Sequence, residues 1–168
     1  KIGVPFRILN LMDFYHQHVV EPMVEGYAGG ITPNPDVLCN REMKFGALLD
    51  YALKEGFSAL ATGHYCRRVE SPNGEIQLWE GKDKDKDQSY FLSRITSKQL
   101  HYARFPLGEM EKRDVRTLAK KHNLPVADKK DSQGICFLGK VKVPEFLSNF
   151  IDDKPGEIVT VEGVVVGK

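Results

Sequence analysis

The chain has no apolar run long enough to cross a membrane: stretches such as Gly163 to Val166 and Ala59 to Ala61 fall far short of the roughly 20 residues a membrane helix requires. No charged start followed by an apolar stretch marks a signal peptide, so a cytoplasmic location is expected. It also lacks charge of one sign. Twenty-four basic and 23 acidic side chains leave a formal charge of +1, so no global field draws the molecule onto a polyanion, and any nucleic-acid contact must be local. Cysteine is sparse and odd in number. Cys39, Cys66 and Cys136, with no secretory mark, point to free thiols rather than a disulfide scaffold. There is no internal repeat and no low-complexity tract. What is present, in 168 residues, is the 41% hydrophobic and 28% charged composition of a globular protein, which excludes disordered and collagen-like classes. That length buries one respectable core or two small ones.

Lys1 to Pro5 reads as the exit of a helix and Phe6 to Asn10 as a strand directly after it. A leading strand with nothing before it to pair with suggests an upstream segment, and an added edge strand is the plainer alternative. Asp13 is placed to cap a helix to about Tyr27, with Phe14, Val19, Met23 and Tyr27 on one face and a kink at Pro22. Gly29-Gly30 ends it. Two prolines make Thr32 to Asp36 a rigid loop, after which Asn40 is placed to cap a helix carrying Met43, Ala47, Leu48, Tyr51 and Ala52. Ser58 to Thr62 reads as a short buried strand, giving part of a parallel α/β sheet. Tyr65 to Glu70 and Glu75 to Glu80 form a hairpin across Asn73-Gly74. A charged loop covers Lys82 to Gln88, and a short helix opens at Tyr90. Helices are expected over 111–123 and 144–151, then strands over 156–161 and 164–166 that begin a β-rich unit.

Cys39 lies between the Asn34-Pro35-Asp36 turn and the expected start of a helix, beside Arg41, where dipole and charge favour thiolate. A buried inert cysteine is the alternative. Cys136 follows Lys129, Lys130, Ser132 and Gly134, a cationic surrounding that also favours thiolate; a thiol buried beside Phe137 is the alternative. A zinc site finds only His64-x-Cys66 as a close pair, which does not suit metal-ligand knuckles, and no local signature of a Cys/His hydrolase surrounds either thiol. His16, His18, His101 and His122 read as surface histidines. Asp36, three residues before Cys39, suits an acid or base, or simply a turn cap. Gly63-His64-Tyr65 follows the carboxyl end of a strand, where open α/β sheets bind ligands, although a plain corner has the same pattern. Lys82 to Gln88 is a solvated loop or a weak nucleic-acid contact.

Four segments in order, Thr32-Pro33-Asn34-Pro35-Asp36-Val37-Leu38-Cys39-Asn40, Ala61-Thr62-Gly63-His64-Tyr65, Lys86-Asp87-Gln88-Ser89-Tyr90-Phe91-Leu92 and Ser132-Gln133-Gly134-Ile135-Cys136-Phe137, together resemble the tRNA-specific 2-thiouridylases. The resemblance covers nearly the whole chain, Phe105 to Gly108 and Lys154 to Gly156 included. It implies an α/β fold: a partial adenine-nucleotide alpha hydrolase-like (PP-loop) parallel sheet over 1–94, a small helical domain carrying Cys136 over 95–152, and the first strands of a β-barrel over 153–168.

The resemblance also implies the chemistry. ATP adenylates the C2 oxygen of the wobble uridine of tRNA, with Mg2+ in the full enzyme, and persulfide sulfur arrives from a sulfur-relay or cysteine desulfurase protein. Cys136 is implied as persulfide carrier, Cys39 as the second thiol that releases the sulfur, and Asp36 as acid or base. Asn34, Pro35 and Asp36 are implied to contact the flipped-out base, Gly63 the nucleotide, and Lys86, Asp87 and Gln88 the tRNA. The family's Ser-Gly-Gly-x-Asp-Ser phosphate loop is absent, and Gly29-Gly30, which follows a helix, does not replace it. The expectation is therefore a fragment of the enzyme that does not activate uridine alone. The alternatives are a non-catalytic tRNA-binding piece and a thiol redox or zinc protein. Cys66 matches no functional position.

Overall fold

The computed structural model describes residues 3–129, 134–137, 139, 142–152 and 154–168. The start of the expected helix exit and the Lys130, Ser132 and Gln133 part of the Cys136 motif lie outside them. Residues 6–10 do not form the expected strand: no partner ladder exists for them among the described residues, and Phe6 and Ile8 stand exposed. Side chains hold this extended segment instead, with Arg7 bonding to Tyr51 and Glu55.

Helix α1 covers 12–28 as Met12–Tyr15, a π-helical stretch His16–Val20, and Glu21–Ala28. The extra residue per turn in that stretch rotates the buried face. Tyr15, Val19, Val20 and Met23 are buried, whereas the simple helical stripe placed Phe14 and Tyr27 there. Asp13 does not cap α1; Asn10 Oδ1 accepts from the Met12 amide at 3.1 Å. Pro22 falls in the first turn after the π-helical stretch, where its missing N–H costs little.

After Gly30, at φ +77°, the chain turns back, and the Pro33 ring packs so tightly on Gly26 that a Cβ there would lie 2.8 Å from Pro33 Cγ. Helix α2 then runs over 35–54 as Pro35–Leu38, the π-helical Cys39–Leu48, and Leu49–Lys54. It starts earlier than expected. Asn34, not Asn40, is its cap: Oδ1 accepts from the amides of Asp36 at 3.0 Å and Val37 at 3.2 Å, and Pro35 supplies a fixed φ at the first helical position. Asp36 and Cys39 are therefore helical residues.

The sheets are small. Strand β1 (Leu60–Ala61) pairs in parallel with β4 (Ala103–Arg104). Strands β2 (Cys66–Glu70) and β3 (Ile76–Glu80) form the expected hairpin around Gly74 at φ +82°. Between β3 and β4 lie 3-10 turns at Lys84–Lys86 and Ser89–Leu92 and helix α3 (Ser97–Tyr102), which carries a Thr96–Gln99 capping box. Helix α4 (Lys112–Lys121) and helix α5 (Val143–Leu147) follow, then β5 (Ile158–Val159) antiparallel to β6 (Val165–Gly167). A mixed α/β chain with a short parallel pairing results. None of its described helices is long and apolar enough to cross a membrane.

Two apolar clusters form the core. One gathers Phe45, Cys66, Leu92, Leu100, Ala103 and Phe105, tying α2 to the hairpin and to β4. The other gathers Tyr15, Val19, Val20, Cys39 and Met43 between α1 and α2, with Cys136 and Phe146 packed against it. The second cluster carries the site.

Candidate functional site

Cys39 and Cys136, far apart in sequence, meet between α2 and the 134–137 segment. The Cys136 side chain packs against the buried cluster that holds Cys39, near enough for each thiol to change the acidity of the other. Cys39 is wholly buried and Cys136 partly so. The neighbouring Cys39 holds the Cys136 thiol below its ordinary value, whereas Cys136, reinforced by burial, pushes Cys39 far up. Of the two, Cys39 keeps its proton and Cys136 favours thiolate. This corrects the sequence expectation for Cys39. With the helix capped at Asn34, its sulfur sits beyond the first turn, and burial beside another sulfur overrides the dipole.

The backbone of Cys136 is gripped on both sides. Its amide donates to Asp36 Oδ1 at 3.0 Å, and its carbonyl accepts from the Tyr15 hydroxyl at 2.6 Å. Burial, then Cys39, Cys136 and Asp36, push the Tyr15 phenol up, so it stays a protonated donor. Asp36 is thus within reach of both the Cys136 peptide and the cavity beside it.

That cavity, of about 600 Å3, is lined by Asp36, Asn40, Lys44, His64, Gln88 and Cys136, among others. Residues Asp36, Asn40 and Lys44 recur every fourth position of α2 and share a face. Asn40, 2% exposed, donates to the carbonyls of Asp36 at 3.0 Å and Phe91 at 3.3 Å, and accepts from Lys44 Nζ at 2.9 Å. His64 also lines the cavity and pairs through Nδ1 with Thr62 Oγ1 at 2.7 Å. Burial, then the Lys44 charge, lower the imidazole to about 4, so it is neutral at ordinary pH.

The remaining candidates divide. Gln88 lines the cavity and pairs with Tyr65: its Oε1 accepts from the Tyr65 amide at 3.1 Å, and its own amide donates to Tyr65 O at 2.9 Å. Asp87 holds the loop, accepting from Gly81 N at 2.7 Å and Ser89 Oγ at 2.6 Å; against burial, the bonds from Ser89 and Gly81 keep its carboxyl low. Lys86 is exposed and is not a cavity residue. Asn34 and Pro35 open α2. Gly63 lies exposed just before His64, where an added Cβ would meet only Leu107 at 3.8 Å. Cys66 is remote and sealed in β2, its thiol pushed up to about 12 by burial and by Asp87.

Tyr15, Asn40 and Lys44 are site residues that the sequence did not single out in this role. The four-residue spacing of Asp36, Asn40 and Lys44 was available as a signal; for Tyr15 there was none, because its partner lies in a distant segment. Among the described residues no group of three or more His, Cys, Asp or Glu side chains is placed to hold a metal ion.

Comparison with known proteins matches the sequence of this chain to proteins named tRNA-specific 2-thiouridylase. The chain is 55% identical over 98% of its length to the tRNA-specific 2-thiouridylase MnmA of Akkermansia muciniphila, covering 46% of that protein. The proteins of the same name from Christiangramia forsetii and Lysinibacillus sphaericus are 49% and 45% identical over 96% and 100% of the chain, which covers 42% and 45% of them. The chain thus spans somewhat less than half the length of these curated relatives. A family model described as the tRNA methyl transferase HUP domain matches residues 1–140, and the chain belongs to that family.

Proposed function

We propose that this chain carries the sulfur-relay centre of a tRNA 2-thiouridylase, with Cys136 as persulfide carrier and Cys39 as the thiol that discharges it. The observation that carries this reading is that Cys136 lines a cavity and packs against the buried cluster that holds Cys39, in surroundings that favour thiolate on Cys136 and the protonated form of Cys39. A thiolate is the form that accepts sulfur from a donor persulfide, and a neighbouring thiol is what later breaks the bond.

The steps balance with two sulfurs. Cys136 thiolate attacks the outer sulfur of a persulfide on a relay or cysteine desulfurase protein, giving Cys136–S–SH and returning the donor as thiol. The outer sulfur then attacks C2 of the wobble uridine, whose C2 oxygen has been adenylated, and AMP departs with that oxygen. Deprotonated Cys39 attacks Cys136 Sγ and breaks its bond to the transferred sulfur, leaving 2-thiouridine and a Cys39–Cys136 disulfide. An external dithiol returns the pair to thiols. Asp36, beside both the Cys136 peptide and the cavity, is the proton acceptor or donor in this scheme. The 600 Å3 cavity is large enough for an extruded base.

We assign the base contact to Asn34, Pro35 and Asp36, the nucleotide contact to Gly63, and the further tRNA contact to Lys86, Asp87 and Gln88, on the resemblance of their motifs. The 1–94, 95–152 and 153–168 division rests on the same footing. ATP supplies adenylation, but the sequence has no glycine-rich phosphate loop, so that step is assigned to no residue of this chain. Mg2+ finds no acidic cluster among the described residues, so no step is routed through it. Methyl transfer, which the family's name suggests, gains no support from a thiol pair. A thiol redox role uses the same pair, and the experiment separates the two.

The chain is treated with inorganic polysulfide, desalted, and its Cys136 peptide weighed over time. Wild type should gain one sulfur atom at Cys136, then release hydrosulfide as a Cys39–Cys136 disulfide forms, whereas Cys39→Ser should retain the extra sulfur. Cys66→Ser should behave as wild type. Equal persistence of the persulfide in wild type and Cys39→Ser would sink the relay, as would pairing of Cys136 with Cys66. A disulfide formed with no prior sulfur on Cys136 would favour a redox role.

A further inference from the structure

The cavity beside Cys136 contains a fixed positive charge that the relay scheme has not used. Lys44 extends from α2 one helical step beyond Asn40, and its Nζ donates to Asn40 Oδ1 at 2.9 Å. Asn40 is itself immobilised, since it is 2% exposed and its amide bridges the carbonyls of Asp36 and Phe91. A lysine ammonium is ordinarily a mobile, strongly hydrated charge on a long stem. Here the Asn40 bond and partial burial place it at the wall shared with Cys136, and the same residue also lines the neighbouring apolar cavity of about 680 Å3.

We propose that Lys44 is an electrostatic positioning residue: its ammonium, fixed by Asn40, steadies the negative charge on Cys136 Sγ and, after loading, on the outer sulfur of its persulfide. The proposal rests on the reading of Cys136 as sulfur carrier. Both states are anions at a partly desolvated site, where a nearby cation acts with less screening than in water.

The other charged or titratable groups facing Cys136 do not supply this charge. Cys39 remains a neutral thiol, Asp36 opposes the anion, and Tyr15 keeps its proton. His64, which also lines the cavity, is neutral, and Lys44 contributes to keeping it so. Among the described residues lining the cavity, Lys44 is the one cation. Its charge acts on Cys39, Cys136 and His64 alike, in each case in the direction that favours an anion or disfavours a second cation.

The test is the pH profile of Cys136 alkylation by iodoacetamide, read by peptide mass spectrometry, in wild type, Lys44→Met and Lys44→Arg. Cys66 is the internal report on folding, because a sealed thiol stays unlabelled while the fold holds. Lys44→Met should raise the Cys136 midpoint by about one pH unit, and Lys44→Arg should leave it within a few tenths of wild type. The lost thiolate fraction is partly offset by higher intrinsic nucleophilicity, so alkylation near neutrality should slow by roughly threefold. Should Lys44→Met expose Cys66, Lys44→Gln, which retains a donor for Asn40 without charge, takes its place. A low wild-type midpoint that neither neutral variant moves overturns the role of Lys44 and leaves the relay standing, and an arginine variant shifted as far as methionine does the same. A wild-type Cys136 midpoint at the ordinary thiol value of about 8.5 overturns the carrier reading and the role of Lys44 with it.

Discussion

Cys66 and Cys39 are equally hidden from solvent, yet the two regions that hold them are built for different ends. Around Cys66 the backbone itself closes in. A Cβ at Gly108 would lie 2.0 Å from the Cys66 carbonyl oxygen, and one at Gly81 would lie 2.7 Å from the Tyr65 carbonyl oxygen. Among the described residues no second thiol stands beside it, and burial, then the Asp87 charge, push its thiol up to about 12. Around Cys39 a second sulfur, a carboxylate and a held ammonium act on the thiol, and all three of those residues line a cavity. Burial alone therefore does not separate an inert cysteine from a reactive one. What decides is whether the surroundings provide a proton partner and room for a reactant.

The largest effect that sharpens this contrast is expected at Gly108. Gly108→Ala should force the 105–109 turn away from β2 and cost about 3 kcal/mol or more in denaturant unfolding, because backbone rather than a flexible side chain meets the new methyl. Labelling of Cys66 should appear well before the transition seen in wild type. A loss under about 1 kcal/mol would mean that the Cys66 region yields easily and that the contrast in rigidity is false.

Much of this was legible in the sequence, for identifiable reasons. The hairpin was, because Asn73-Gly74 satisfies a turn that demands positive φ and its flanks have strand-forming residues. The extended Phe6 to Asn10 does not become a strand because strand propensity says nothing about whether a partner is adjacent, and Arg7 anchors the segment by its side chain instead. Two prolines close together read as a loop and put the start of α2 at Asn40. Pro35, however, satisfies the first helical position once Asn34 caps the amides behind it. That shift of one turn and more moved Cys39 from a helix end into a core. The sequence could name both thiols of the pair but not which would hold the proton, since that depends on burial and on contacts to Asp36 and Tyr15 made across the chain.

His64 stands where the two regions meet, packed with Phe45 and Phe105 at centroid distances of 6.1 and 6.2 Å while lining the cavity. Its folded value of about 4 lies below the ordinary one near 6.5, so the unfolded chain binds the proton more readily between those values. The associated stability is fully present above about pH 6.5 and is lost as pH falls through about 4, with a full range of about 3 kcal/mol. Urea midpoints taken near neutrality and near pH 4 should differ accordingly. His64→Gln should remove that part of the difference while Thr62 keeps a partner. An unchanged pH dependence in His64→Gln would place the acid sensitivity elsewhere and detach His64 from the buried wall.

The smallest effect on stability should carry the clearest consequence for chemistry. Tyr15→Phe removes one hydroxyl and keeps the ring, whose edge meets Phe137 at a centroid distance of 5.9 Å. Loss of the 2.6 Å bond to the Cys136 carbonyl should cost about 1 kcal/mol, because that carbonyl is only partly shielded and water near the cavity can replace the donor. The 134–137 segment would then be held by Asp36 and packing alone, and Cys136 would spend less time against Cys39. Disulfide formation between the two thiols under mild oxidant should slow several-fold, since the effective concentration of one thiol at the other falls with looser positioning. Cys66, served by neither bond, should remain as slow to label as before. An unchanged rate of pairing would show that α2 and the Asp36 bond suffice to bring the sulfurs together. Equal loosening of Cys66 would mean that the two regions are one cooperative unit, and the difference between the thiols would then rest on electrostatics rather than on how firmly each is held.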